Sequence, residues 1–306
     1  MQLQKPAIGK KFASVLLLSL ATVVFSTTES GDLDVLMQFR DGLENPDLLK
    51  WPETGGLGLK GTLPQNLNKL SMPRNIGLQR NQLSGKLPSF SGLSNLQYAY
   101  LDYINFDSIP AHFFDGLDDL EVLALDHNNF NATTGWSFPK ALQNSAQLTN
   151  LSCMSCNLMG SLPDFFGTMH SLTNLKLSGN ILSDEIPRTF NGSSLQMFWL
   201  NGDQFTGPID VAATMESLTV LWLHGNHFTG PIPDNIGNLT LLKYLNLNRN
   251  KLVGLIPSSL ANMRLDTLDL NNNQFMGPIP MFKASNVTFA SISFVKPVRG
   301  FFVPRK

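Results

Sequence analysis

A motif that recurs about every 24 residues constrains the fold of this 306-residue chain more than any other feature. The motif, LxxLxLxxNxLxGxIP, is clearest at 218–233, 242–257 and 265–280. A fixed period of this length predicts a solenoid, because no single unit can bury its own apolar face and each must stack on its neighbours. The ninth position of the motif is held by Asn81, Ile104, Asn128, Cys156, Asn180, Asp203, Asn226, Asn250 and Asn273.

Each unit contains a short alternating segment, LxLxx, that leads into a turn. Such alternation predicts a strand whose leucines point inward and whose other residues point outward. An asparagine at the ninth position can hydrogen-bond backbone groups of the turn, each of which costs roughly 1–3 kcal/mol when buried without a partner. We therefore predict a right-handed α/β solenoid with nine full repeats and a degenerate first one, and with a parallel sheet on its concave face.

Two units depart from this pattern. Ile104 replaces the asparagine of one unit and cannot hydrogen-bond the backbone as an amide does. The unit after Asn128 is longer than the others, with an insert around 131–139. We expect locally irregular coils at both places.

The first 30 residues have the pattern of a secretory signal peptide. A positively charged start precedes an apolar run at 12–25, which is shorter than the roughly 20 residues that a membrane-spanning helix needs. We expect cleavage at Ser26 or Ser30, with an uncleaved signal anchor as the alternative. The chain is therefore expected in the secretory pathway and at the cell surface or outside the cell.

The rest of the chain divides into three predicted parts. Residues 31–56 are predicted to form a helical N-terminal cap, 57–285 the repeat domain, and 286–306 an irregular C-terminal tail. No stretch after residue 30 is long and apolar enough to span a membrane.

The 24-residue period and its GxIP ending resemble the plant-specific class of leucine-rich repeats. Over about 32–285, the chain also resembles the extracellular part of the TMK-type receptor-like transmembrane kinases of plants. The stretches that carry this resemblance include GLKGTLPQNLNKLS at 58–71, NFDSIP at 105–110, WLNG at 199–202 and GPIPMFKAS at 277–285.

This resemblance implies that the chain recognises a ligand or partner at the plasma membrane, in growth or hormone signalling, with a co-receptor as a further candidate partner. Any kinase activity of the family would lie outside this chain. Members of the family have a cap that holds a pair of cysteines, followed by a first strand. Here Trp51–Thr54 run directly into Gly55 without a cysteine, so we expect the cap to be incomplete.

The composition and motifs give no support for catalysis. A net charge of −1 provides no basic excess for nucleic acid. Cys153-Met154-Ser155-Cys156 matches the CxxC redox motif, but the two cysteines fall on an inward strand position and the ninth position, which indicates buried structural thiols. None of the five histidines has a recognisable catalytic spacing. We expect no catalytic residue, metal site or cofactor, and predict a binding protein rather than an enzyme.

Two tryptophans, Trp199 and Trp222, fall at the same outward strand position of consecutive repeats. Aromatic residues at solvent-facing positions are frequent interface anchors. We hypothesise that they form the centre of a surface that binds a protein, peptide or small molecule; the alternative is that they only stack and stiffen the sheet. The predicted binding residues are Tyr100, Lys176, Trp199, Asn201, Trp222, His224, Asn246 and Arg249.

Five glycosylation sequons are expected to carry glycan in a secreted chain, at Asn131, Asn150, Asn191, Asn238 and Asn286. Asn150 should point from the sheet face, where a glycan would obstruct part of it. The alternative function is a secreted enzyme inhibitor that resembles polygalacturonase-inhibiting proteins. Those proteins carry cysteine pairs at both ends, which this chain lacks.

Overall fold

The repeats stack into one solenoid, which the computed structural model describes over residues 30–44, 56–284 and 287–288. The signal-peptide prediction lies outside the described residues except for Ser30, and so do the predictions for 45–55, for Asn286 and for 289–306. The strands are β1 (Lys60–Gly61), β2 (Asn75–Gly77), β3 (Gln82–Lys86), β4 (Tyr98–Tyr100), β5 (Asn105–Ser108), β6 (Val122–Ala124), β7 (Asn150–Ser152), β8 (Met159–Ser161), β9 (Asn174–Lys176), β10 (Ile181–Ser183), β11 (Met197–Trp199), β12 (Val220–Trp222), β13 (Tyr244–Asn246), β14 (Val253–Gly254), β15 (Thr267–Asp269), β16 (Gln274–Phe275) and β17 (Val287–Thr288).

A parallel sheet of ten strands forms one face of the solenoid, called the sheet face below. Its order along the solenoid is β2, β4, β6, β7, β9, β11, β12, β13, β15 and β17. In each fully described strand the middle residue is buried, as with Leu175, Phe198 and Leu221. The predicted alternation and the parallel sheet are therefore confirmed. Val287 and Thr288 pair with β15, so the sheet extends beyond residue 285, where the irregular tail was predicted to follow.

The opposite edge of each repeat is less regular. Short parallel strands pair there in three small sheets, β1 with β3 and β5, β8 with β10, and β14 with β16. The return segments contain a short α-helix at Ser258–Asn262. They also contain 3₁₀ helices at Leu67–Lys69, Lys140–Asn144, Asp164–Thr168, Arg188–Phe190, Ala212–Thr214 and Asp234–Asn238.

The asparagines at the ninth position form a ladder of hydrogen bonds that joins consecutive repeats. In Asn226, Oδ1 accepts from the Phe205 backbone N–H at 3.0 Å, and Nδ2 donates to the Leu200 carbonyl at 2.7 Å. Asn128, Asn180, Asn250 and Asn273 repeat this arrangement. The prediction that these amides turn inward to pair backbone groups is confirmed.

The two irregular units differ from the others as expected. In the unit that holds Ile104, β5 pairs with β3 of the preceding unit, and the register of this pairing shifts between Gly85 and Lys86 of β3. In the long unit, the Trp136 indole Nε1 donates to the Cys156 carbonyl at 2.7 Å, while the Cys156 thiol donates to the Leu125 carbonyl at 3.1 Å. Cys153 and Cys156 are both buried and unpaired, as predicted.

A helix, α1 (Ser30–Asp41), packs against the first repeat. Val35, Leu36 and Phe39 are buried in the core, and the Asp32 carboxylate accepts the backbone N–H and hydroxyl of Ser71, both at 2.8 Å. The helix is shorter than the predicted range 31–56. It ends at Asp41, and Leu43 then forms an antiparallel bridge with Gly61 of β1.

Candidate ligand-binding surface

The outward residues of the sheet face form columns that run across the strands. Trp199 pairs in register with Lys176 on one side and with Trp222 on the other, and Trp222 pairs with Asn246. A column predicted from the repeat is thus present. Its members are Gly77, Tyr100, Ala124, Ser152, Lys176, Trp199, Trp222, Asn246 and Asp269.

The two tryptophans at the centre of this column form a stacked pair, called the tryptophan platform below. Their ring centroids lie 4.2 Å apart with an interplanar angle of 19°. Both side chains are half-buried and face away from the core, which is filled instead by Phe198 and Leu221. The Lys176 ammonium lies 4.5 Å from the Trp199 ring centroid, a distance at which a cation is attracted to the ring face. The stacking is therefore observed, and the two half-exposed indoles lie beside a cation.

Two asparagines at the margin of the tryptophan platform are held by internal hydrogen bonds. The Ser178 hydroxyl donates to Asn201 Oδ1 at 2.6 Å, and the Asn248 backbone N–H donates to Asn246 Oδ1 at 3.1 Å. Because each oxygen is used within the protein, each amide is oriented with its NH₂ group free of partners in the described part of the chain. These amides can donate hydrogen bonds to a ligand.

His224 lies beside Trp222, with ring centroids 6.2 Å apart and an interplanar angle of 64°. Burial lowers the pKa of His224, and the nearby Arg249 guanidinium lowers it further, against an opposing effect of Asp269. The lowered pKa favours the uncharged imidazole. It contributes a polar ring, rather than a charge, to this part of the surface.

In every repeat, the residue just before the ninth position of the motif has a left-handed backbone conformation, and this position lies beside the tryptophan platform in the two repeats that form it. Arg249 adopts it with φ 51°, whereas Gly202 and Gly225 hold the same position beside the two tryptophans with φ 74° and 67°. Glycine adopts this conformation without steric cost. Because these two positions carry no side chain, the edge of the tryptophan platform next to Asn201 and His224 stays open.

Tyr100 does not belong to this constellation. It lies four strands from Trp199, which corresponds to about 19 Å across the sheet. The prediction that it contributes to the same site therefore lacks support from the geometry.

A second aromatic stack, which the sequence analysis missed, lies at the edge of the sheet face near Tyr100. The Tyr103 and His127 rings stack with centroids 4.4 Å apart, and the Arg80 guanidinium lies 5.5 Å from the Tyr103 ring. All three residues have positive φ, at the repeat position that Gly202 occupies beside the tryptophan platform. Large side chains at a position that elsewhere holds glycine were the available signal.

Four of the five sequons lie in the described residues. Asn150 is on β7 of the sheet face, where its side chain hydrogen-bonds Thr149 and Asn174. Asn191 and Asn238 are exposed near the ends of 3₁₀ helices, and Asn131 lies in the insert. Glycosylation of these sites stays a prediction.

Neither metal chemistry nor a membrane span is indicated in the described part of the chain. Over 30–44, 56–284 and 287–288, no group of three or more His, Cys, Asp or Glu side chains is arranged to hold a metal ion. Among these same residues, no helix has both the length and the hydrophobicity that crossing a bilayer requires.

Comparison with known proteins supports the resemblance drawn from the repeats. Leucine-rich-repeat family models match residues 171–193 and 216–275. The chain is 36% identical over 286 residues to the receptor-like kinase TMK2 of Arabidopsis thaliana, covering 84% of this chain and 32% of the relative. It is 38% identical over 292 residues to TMK4 of the same plant, covering 88% and 31%. The chain thus spans about a third of the length of these curated relatives.

Two solved receptor structures show the same architecture. The ectodomain of the Arabidopsis thaliana receptor kinase GASSHO1/SCHENGEN3, in complex with CASPARIAN STRIP INTEGRITY FACTOR 2, matches with a TM-score of 0.71 and 30% identity, over 78% of this chain and 29% of that one. The Arabidopsis receptor kinase HAESA, in complex with the peptide hormone IDA and the co-receptor SERK1, matches with a TM-score of 0.64 and 26% identity, over 74% and 44%. Both structures are complexes of leucine-rich-repeat receptors with a partner.

Proposed function

This chain is a leucine-rich-repeat protein that resembles the ectodomains of plant TMK-type receptor-like kinases, and from that premise we propose that it recognises a peptide ligand at the cell surface. The ligand would lie on the sheet face, centred on the tryptophan platform. The observation that carries this proposal is the accessible pair of stacked indoles bordered by amides whose NH₂ groups are unused. Fully packed repeats need no such arrangement for stability.

The receptor comparison supports a peptide as the ligand class. HAESA is seen with a peptide hormone and a co-receptor, and we extend both partner classes to this chain as part of the proposal. The enzyme-inhibitor alternative has less support, because the matched curated proteins are receptor-like kinases and receptor-like proteins. Nothing in the described residues indicates catalysis, and the kinase activity named for the relatives is not proposed for these repeats.

A selection from a random peptide display library against the purified protein tests this function. Enriched peptides should bind the wild type, and their affinity for the Trp222→Ala variant should be at least about 30-fold lower. An aromatic anchor of this kind typically contributes about 2 kcal/mol or more to binding. Tyr103→Ala is the matched control, because it removes an exposed aromatic ring from the other end of the same face. Peptides that lose binding to the Tyr103 variant but not to the Trp222 variant would contradict the proposed location.

A further inference from the structure

Two cations flank the tryptophan platform and have no carboxylate partner among the described residues. Lys176 is on β9, one strand before Trp199, and Arg249 follows β13, one strand after Trp222. The ion pairs found in the described residues are Arg40–Asp41 and His112–Asp115, neither of which involves these cations. Lys176 and Arg249 can therefore each pair with an anion from another molecule.

Some hydrogen-bond donors on this part of the sheet face have no acceptor among the described residues. The oxygens of Asn201 and Asn246 are occupied internally, whereas their NH₂ groups are not. The indole Nε1 of Trp199 also has no acceptor within the described protein, but it is buried. A ligand that brings acceptors can pair with the NH₂ groups of the two asparagines.

One carboxylate near this surface, that of Asp269, is held by hydrogen bonds within the protein. Asp269 Oδ2 accepts from Asn248 Nδ2 at 2.5 Å, and Oδ1 accepts from the Asn271 backbone N–H at 3.0 Å. Asp269 is on β15, on the far side of β13 from the two tryptophans, and its charge still acts on His224. Lys176 and Arg249 each lie one strand from a tryptophan, nearer in the strand order than Asp269.

We propose that the tryptophan platform recognises an acidic peptide segment, in which two carboxylates flank an aromatic or apolar side chain. This proposal rests on the proposed function and names its ligand class. The flanked side chain would lie on the indoles, and the carboxylates would pair with Lys176 and Arg249. Their strands, β9 and β13, are three strand spacings apart, about 14 Å, and Arg249 lies three residues beyond Asn246, which is level with Lys176. The two positions are therefore about 17 Å apart, which an extended peptide covers in roughly five residues.

The test combines the same library selection with two charge-removing variants. Lys176→Gln keeps most of the length of the side chain, and Arg249→Asn introduces the residue that Asn272 supplies at the same left-handed position of the next repeat. Lys283→Gln, which removes an exposed lysine away from the sheet face, is the matched control. Thermal unfolding of each variant verifies that the fold is kept.

If the ligand is an acidic segment, the enriched peptides should carry Asp or Glu on both sides of an aromatic or apolar residue. Each charge-removing variant should weaken their binding about tenfold, as should replacing the matching Asp or Glu of the peptide by Asn or Gln. Added salt should weaken the binding of these peptides to the wild type, whereas the Lys283→Gln variant should bind them as tightly as the wild type does.

Two other outcomes separate the proposals. Enriched peptides that need Trp222 but are neutral or basic, or that bind both charge-removing variants normally, would overturn the acidic ligand and leave the peptide site in place. If no enriched peptide responds to Trp222→Ala, the peptide site and the acidic ligand both fail.

Discussion

At the scale of single residues, Asp203 differs from the asparagines that hold its position in other repeats. Its Oδ1 accepts the backbone N–H groups of Asn180 and Leu182 at 3.0 and 3.1 Å, as an asparagine oxygen does. Its Oδ2 is buried without a partner. Asn226 has Nδ2 at the equivalent place, and this group donates to the Leu200 carbonyl. Burial raises the pKa of Asp203 to about 7, despite the opposing effect of those two backbone donors.

The raised pKa makes the stability of the solenoid depend on pH. Because the folded protein holds this proton more tightly than the unfolded chain does, the contribution is fully present below about pH 4 and is lost as the pH rises through about 7. Asp203→Asn should remove this part of the pH dependence and raise the free energy of unfolding at about pH 8 by roughly 1–3 kcal/mol, the cost of an unsatisfied buried polar group. Urea unfolding at about pH 5 and about pH 8 measures both effects. A variant that keeps the wild-type slope would show that Asp203 is already ionised at the lower pH.

The tryptophan platform should contribute little to stability. Trp222→Ala removes a half-buried ring whose main contact is the stack with Trp199, and such pairs contribute about 0.5–1.5 kcal/mol beyond the area they bury. Leu221→Ala, one residue away and fully buried, should cost about 2–5 kcal/mol. Thermal or urea unfolding compares the two variants. Similar losses would mean that the indole fills the core.

At the scale of elements, the insert near 131–139 is held by Trp136. Its indole N–H donates to the Cys156 carbonyl, and its ring packs edge-on against Phe130 and Phe138. Trp136→Phe keeps an aromatic ring but leaves this buried carbonyl unpaired, so it should lower the free energy of unfolding by roughly 1–3 kcal/mol. Ser137→Ala, at an exposed neighbouring site, should change it by less than about 0.5 kcal/mol. Equal effects of the two variants would show that the hydrogen bond does not anchor the insert.

The sheet and the asparagine ladder could be predicted because every repeat places the same kinds of residue at the same strand and turn positions. Once the ninth position is known, alternation decides which residues of β11 and β12 face outward, so Trp199 and Trp222 were placed correctly. The period carries no information about contacts that a single repeat makes once. The contact of Trp136 with Cys156 bridges twenty positions, and the stack of Tyr103 on His127 depends on a left-handed backbone position outside the alternating segment.

At the scale of the whole molecule, the N-terminal end should be the weakest part of the solenoid. A terminal repeat needs a cover over its stacking face. Here the described cover is α1, and β1 has only two residues. Hydrogen exchange followed by mass spectrometry should find the fastest exchange of the folded region before Ile76. Uniform protection from Asp32 to Leu96 would contradict this.

Charge is unevenly distributed along the solenoid. Between residues 87 and 139 the chain has no lysine or arginine. The acidic residues of this segment are Asp102, Asp107, Asp115, Asp118, Asp119, Glu121 and Asp126. Like charges repel, so an acidic ligand should be kept from these repeats and directed toward Lys176 and Arg249.

The crystal structure of the protein with a peptide selected from the display library would test the central claim most directly. We predict that the peptide crosses β9, β11, β12 and β13 on the sheet face, with one side chain in contact with both indoles of the tryptophan platform. A peptide bound to the Tyr103–His127 stack, or away from the sheet face, would contradict the account.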